Sequence, residues 1–131
     1  MANLPLSLPI RAPFPYRAAL QRGFKGFARC GTGYDAAQHF DFKTIKPGSI
    51  GPGQAPFINV IVHMRGLLNH CFTRIYFDDE AAANQLDAVL LSVAPERRKT
   101  LLARKTSGLF GAEYRFDIHM QGTQETVFFD L

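Results

Sequence analysis

Four histidines (His39, His63, His70, His119), two cysteines (Cys30, Cys71) and the carboxylate run Asp78-Asp79-Glu80 are the groups in this chain best suited to chemistry. A metal centre needs such ligands at fixed short spacing, and the sequence contains no H-x-H, H-x-x-x-H or C-x-x-C. His63 and His119 each fall inside a strand-like pattern, alone among non-ligands, where a hydrogen-bonded structural imidazole is the plainer reading. Asp78-Asp79-Glu80 precedes Ala81-Ala82-Ala83 and reads as an N-cap and an acidic first turn of a short helix. Cys71 lies within a predicted strand with no base identified for it and reads as an inert buried thiol rather than a nucleophile. Two cysteines make neither a disulfide framework nor a metal site, and with no secretory leader pattern they point to a reducing cytoplasm. G-x-S-x-G, the P-loop and the dinucleotide fingerprint do not occur. Taken alone, the residues offer no self-contained catalytic constellation.

The elements that must position these groups centre on Lys46–Gly66. Pro47, Gly48, Gly51, Pro52 and Gly53 predict a turn cluster. Phe57 to Arg65 then alternates as a strand. Ile58, Val60, Val62 and Met64 make an apolar face, while Phe57, Asn59, Ile61, His63 and Arg65 make a mixed one. Such a mixed face suits a pocket wall, a subunit contact or a half-wet strand. Upstream, residues 1–22 hold Pro5, Pro9, Pro13 and Pro15 and predict an irregular basic start. Short strands are expected over Phe24–Arg29 and His39–Ile45, and another over Cys71–Phe77. Helices are expected over Glu80–Leu86 and from Pro95 onward, with Leu101 and Leu102 as the apolar stripe of the second. Tyr114–Gln121 is the cleanest strand, its even-numbered residues Tyr114, Phe116, Ile118 and Met120 facing one way. A four-residue loop should return it as a hairpin into Thr126–Asp130.

At 131 residues, 47% hydrophobic and 20% charged, the chain has the composition of one soluble globular domain. A chain of this size buries about two-thirds of its unfolded surface. Twelve Phe and no Trp favour strands. No apolar run approaches the roughly 20 residues of a membrane helix, which argues against a membrane role. The net charge of +4 is concentrated early, where Arg11, Arg17, Arg22, Lys25 and Arg29 precede the first acidic residue, Asp35. These cations are spaced by prolines and apolar residues, so no nucleic-acid partner is expected. With strands predominating and no βαβ alternation, the expected class is mainly β, a β-sandwich with short connecting helices.

Several stretches carry a family resemblance: Phe24–Cys30, Phe42–Gly48, Gln54–Val60, Arg65-Gly66, Thr73–Asn84, Glu96–Lys105 and Tyr114–Leu131. In order and without large gaps, they resemble the intradiol ring-cleavage dioxygenases, and within them the alpha subunits. The resemblance covers residues 23–131 and implies the carboxy-terminal part of an intradiol-dioxygenase-like β-sandwich, incomplete because the family's amino-terminal strands have no counterpart in residues 1–22. Phe14–Arg17 echoes a family segment only superficially, and no role is carried onto Tyr16.

The resemblance further implies an iron-bearing beta subunit as partner, or self-association in its place. The substrate class it implies is a catechol-type aromatic acid cleaved with O2 during aromatic catabolism. Fe(III) would be carried by the beta subunit. The family's H-x-H ligand pair falls on Phe57 and Asn59, and a tyrosine ligand falls at about Ile50, so this chain should hold no metal. Position 57 is commonly His even in alpha subunits, and Phe removes that polar group. Arg65 matches the arginine that the alpha subunit contributes to the substrate pocket. Even with the resemblance, a strand-end charge in solvent is an equal reading of Arg65. A non-enzymatic binding or scaffold module remains the competing class.

Overall fold

A computed structural model describes residues 6–7, 10–12, 28–29, 31, 42–44, 46–108 and 111–130. The expected strand over Phe24–Arg29 lies outside these residues except for Ala28 and Arg29, which belong to no regular element.

The described residues form β1 (Leu6–Ser7), β2 (Ile10–Ala12), β3 (Phe42–Lys43), β4 (Phe57–Val62), β5 (Cys71–Phe77), β6 (Leu102–Gly108), β7 (Gly111–Arg115) and β8 (Asp117–Ile118). Short helices α1 (Ala81–Asn84) and α2 (Ala88–Ser92) lie between β5 and β6, with 3₁₀ turns at Asp78–Glu80 and Pro95–Leu101. The main sheet runs β3-β2-β7-β6-β5-β4, and a second small sheet pairs β1 with β8. The fold is mainly β with short connecting helices, as expected, and is consistent with an incomplete sandwich.

Residues 1–22, expected to be irregular, contain two short strands. β2 lies between β3 and β7. In sequence, Pro5, Pro9 and Pro13 flank Leu6–Ser7 and Ile10–Ala12, and prolines at that spacing suit strands this short.

Two further expectations are corrected. Leu102–Gly108, assigned from sequence to a helix end and a turn, is a strand. The Pro95 segment does begin with proline at its first turn, but it is 3₁₀ and stops at Leu101. Tertiary pairing overrides local propensity there, because β6 runs parallel to β5 at Tyr76↔Leu102 and Phe77↔Ala103. It then runs antiparallel to β7 from Arg104↔Arg115 to Gly108↔Gly111. The β5–helices–β6 segment is therefore a parallel crossover, where none was expected.

The second correction concerns the carboxy-terminal hairpin. Tyr114–Gln121 begins earlier, at Gly111, and breaks at Phe116, so that β7 serves one sheet and β8 the other. The alternation nonetheless survives the break: Tyr114, Phe116 and Ile118 are each 1% exposed, and Met120 packs against the same core. Thr126–Asp130 forms no ladder with this segment. Thr126 N–H donates to the His119 carbonyl (2.9 Å), and Thr126 Oγ1 accepts from His119 N–H (2.9 Å). Beyond it the tail crosses to β5, where Phe129 N–H donates to the Phe72 carbonyl at 2.8 Å. Val127 and Phe129 are drawn there by an apolar cluster they help to bury.

Two cores result. One holds Val62, Ile75, Phe77, Ala103, Tyr114, Phe116 and Ile118. The other, on the opposite face of β5, joins Ala55, Tyr76, Leu90, Val93 and Leu101.

Candidate functional site

β4 and β5 form a six-pair antiparallel hairpin from Phe57↔Tyr76 to Val62↔Cys71. Its inner face behaves as the sequence predicts: Val62 is buried, and Ile58, Val60 and Cys71 pack against the first core. The outer face carries the cross-strand pairs Phe57–Tyr76, Asn59–Arg74 and Ile61–Phe72. Asn59 and Ile61 are exposed.

Arg65 lies in the turn at the far end of this hairpin, beyond β4 and exposed. The turn is tight, with Leu67 N–H donating to the Met64 carbonyl at 3.1 Å. Gly66 follows at φ 93°, a left-handed conformation that side chains rarely adopt. No hydrogen bond or ion pair engages the Arg65 guanidinium among the described residues. The structure thus presents, among the described residues, an unpaired planar cation in the turn, the form suited to two-pronged carboxylate binding.

The positions matched to iron ligands have other uses. Phe57 lies under the Arg74 guanidinium, 4.2 Å from ring centroid to Cζ, and its ring is 6.1 Å from that of Tyr76. Asn59 points from the exposed face, and Ile50 is 77% exposed in the turn region. The Phe57 phenyl and Ile50 alkyl groups offer no donor atom, and the single carboxamide of Asn59 cannot hold iron by itself, so this set does not fit the metal. Among the described residues no three His, Cys, Asp or Glu side chains gather.

Beneath Phe57 runs a polar chain that sequence reasoning missed. Arg74 Nη1 donates to Tyr76 Oη (3.4 Å), whose hydroxyl donates to Asp87 Oδ1 (3.2 Å). Asp87, 2% exposed, also accepts from Ala55 N–H and from Leu90 N–H, both at 2.9 Å. One carboxylate therefore caps α2 and fixes the entry into β4. Burial pushes the Tyr76 hydroxyl above its ordinary pKa; the Arg74 contact opposes this and Asp87 reinforces it. The signal for the cap was present in the sequence as Asp87 ahead of Ala-Val-Leu-Leu, the start of the unpredicted α2.

The acidic run makes up the first turn of a 3₁₀ segment, as expected, but it does not cap a helix. No side chain of Asp78–Glu80 makes a capping bond. Instead Asp78 accepts from Lys105 N–H at 3.1 Å, and Asp79 accepts from Tyr114 Oη at 2.8 Å. Lys46 Nζ bridges Asp79 (3.2 Å) and Glu80 (2.6 Å), with Lys105 Nζ 3.6 Å from Asp79. Lys46 also sits over the rings of Phe77 (5.3 Å) and Tyr114 (5.7 Å). Burial alone would lower the Lys46 pKa, but the bonds to Glu80 and Asp79 outweigh it and the value rises. For Asp79, burial would raise the pKa, and Tyr114 and Lys46 bring it below the ordinary value. Tyr114 is pushed up to about 12 by burial and by its bond to Asp79. This cluster ties the Lys46 turn region to the end of β5, and it is structural in character.

A cleft of about 280 Å³ between α1 and α2, lined by Ala81, Asn84, Leu90, Leu91 and Leu102, lies apart from Arg65 and the outer face of β4. Among the described residues no helix is long and apolar enough to cross a membrane.

The described residues form a β-rich chain with an exposed arginine in the turn after β4 and, among those residues, no gathering of three metal-binding side chains. The chain is 57% identical over 110 residues to the protocatechuate 3,4-dioxygenase alpha chain of Burkholderia cepacia, covering 83% of this chain and 56% of that one. It is 44% identical over 117 residues to the protein of the same name from Pseudomonas putida, covering 86% and 58% respectively. The chain is therefore a relative of these dioxygenase alpha chains, and it spans little more than half their length. No family model matches it.

Proposed function

We propose that this chain serves as a non-iron-binding alpha subunit of a protocatechuate 3,4-dioxygenase-type enzyme. It supports O2-dependent intradiol cleavage of a catechol carboxylic acid at an interface with an iron-bearing beta subunit. In this reading Fe(III) belongs to the beta subunit, and Phe57, Asn59 and Ile50 take no part in holding it. Arg65 binds the substrate carboxylate and so orients the ring presented to the partner's centre. The observation that carries the proposal is the Arg65 guanidinium, unpaired among the described residues, in a chain 57% identical to a dioxygenase alpha chain.

Co-expression with a beta chain tests it. A stable complex should form whose iron resides in the beta chain, while the purified alpha chain shows no tyrosinate–Fe(III) colour. In the complex, Arg65→Ala should raise KM for the carboxylated catechol by about 10- to 100-fold, the loss of one charge-assisted hydrogen-bonded pair. It should change KM for an uncharged catechol far less. Equal effects on both substrates, or none, would remove Arg65 from the pocket.

The exposed outer face of β4, with Ile61 53% exposed, also suits a non-catalytic binding module. A chain that binds no beta partner but still associates through this face would favour that second reading.

A further inference from the structure

The register of the β4–β5 hairpin brings together two residues that the sequence treats as unrelated. Its last ladder pair is Val62↔Cys71, so the next residues outward, His63 and His70, stand opposite one another at the root of the turn. Cross-strand neighbours in such positions have side chains within contact distance. The two imidazole rings lie 5.4 Å apart between centroids, with planes inclined at 49°. Both residues are exposed. His63, read from sequence as an isolated structural histidine, therefore has a second imidazole beside it.

The pair is held from two sides. Phe72, two residues further along β5, meets the His70 ring edge to face at 4.8 Å and 87°. On the other side the Val62↔Cys71 ladder pair sits directly beneath the two histidines, and the Met64–Leu67 hydrogen bond and the positive φ of Gly66 shape the turn beyond them. Two imidazoles bonded at about 2.0–2.1 Å to one tetrahedral ion have ring centres roughly 5 Å apart. The observed spacing of 5.4 Å is close to that arrangement.

We propose that His63 and His70 form a two-imidazole binding site for a borderline divalent metal ion of the zinc, nickel and copper class. Imidazole suits these ions, and among them copper(II) binds a given nitrogen site most tightly. The remaining coordination positions are open to water, since no third His, Cys, Asp or Glu ligand joins the pair among the described residues. Arg65, in the same turn, is the nearby charged group. Its charge opposes a bare dication, but both lie in solvent where the repulsion is screened. The site is distinct from the positions matched to iron ligands, because Phe57 and Asn59 occupy the other end of the same outer face. It does not depend on the presence of a beta subunit.

The test uses the full chain titrated with copper(II) at pH 7.5, followed by calorimetry and by electron paramagnetic resonance. One ion per chain should bind, with nitrogen couplings from two imidazoles in the spectrum. His63→Ala and His70→Ala should each weaken binding about tenfold or more, because each leaves a single ligand. His39→Ala and His119→Ala should leave the affinity unchanged. His70→Gln, which keeps a polar side chain at the turn, guards against a folding artefact, and circular dichroism of each variant checks it directly. Equal affinity in wild type and His63→Ala, or loss of binding in His39→Ala or His119→Ala, would overturn the assignment. So would the absence of binding below about millimolar metal.

Discussion

At the scale of single residues the most consequential side chain outside the proposed site is Tyr114. Its neutral hydroxyl donates to Asp79, and the fold holds its pKa at about 12 against an ordinary 10.0. A group raised in this way contributes stability that is complete below pH 10 and is lost as pH climbs towards 12. The contribution is on the order of 2 kcal/mol. Asp79 works in the opposite sense. Its pKa is lowered from 3.8, so its contribution is present above that value and fades as pH falls through the lower folded one. Tyr114→Phe should therefore flatten the loss of stability between pH 10 and 12, measured as denaturation midpoint against pH. An unchanged alkaline limb would show that the hydroxyl does not titrate with folding. None of this was legible in the sequence. Lys46 and Asp79 are 33 residues apart, and local pattern offers the acidic run a helix cap at no distance at all. Arg65 is singled out only by family resemblance, since nothing in its neighbours distinguishes a binding cation from a solvated one. His63 and His70 were separately visible, but their meeting depends on a hairpin register that alternation alone does not fix.

At the scale of elements, faces were easier to read than boundaries. The even-numbered face from Tyr114 to Met120 is buried as alternation demands, even though the strand breaks at Phe116. Phe116→Ala should accordingly cost about 3–5 kcal/mol in equilibrium denaturation. A loss below about 1 kcal/mol would mean that Phe116 does not anchor the first core. Boundaries failed where long-range pairing decided them. Leu102-Ala-Arg-Lys has no strand alternation strong enough to see, and only the neighbouring end of β5 makes it one. Thr126–Phe129 carries residues that suit a strand, yet Thr126 satisfies His119 with its own hydroxyl and the tail leaves for β5. Prolines proved to be punctuation rather than prohibition, because the short strands β1 and β2 fit between them.

For the whole molecule the fold class was legible from composition and alternation, whereas the parallel crossover between β5 and β6 was not. Short, weakly amphipathic helices between two strands resemble loops in sequence. In the described sheet β4 is an edge, and its outer face leaves Ile61 more than half exposed. Exposed edges with apolar side chains invite pairing with another chain. Sedimentation of the purified protein at micromolar concentration should therefore show self-association. A monomer that binds no hydrophobic dye would indicate that the edge is covered within the chain.

The narrow joint between β5 and β6 bears on how the protein opens and closes. Only Tyr76↔Leu102 and Phe77↔Ala103 link the β4–β5 hairpin to the β6–β7 hairpin within the sheet. Each hairpin is a local unit that can form early, whereas the joint must wait for the intervening helices to be laid down. Native-state hydrogen exchange should then resolve two cooperative opening units that part at this seam, with the amides of the joint exchanging no more slowly than the less stable of the two. A single opening event shared by every protected amide would instead show that the two cores bind the halves more firmly than the backbone ladder does.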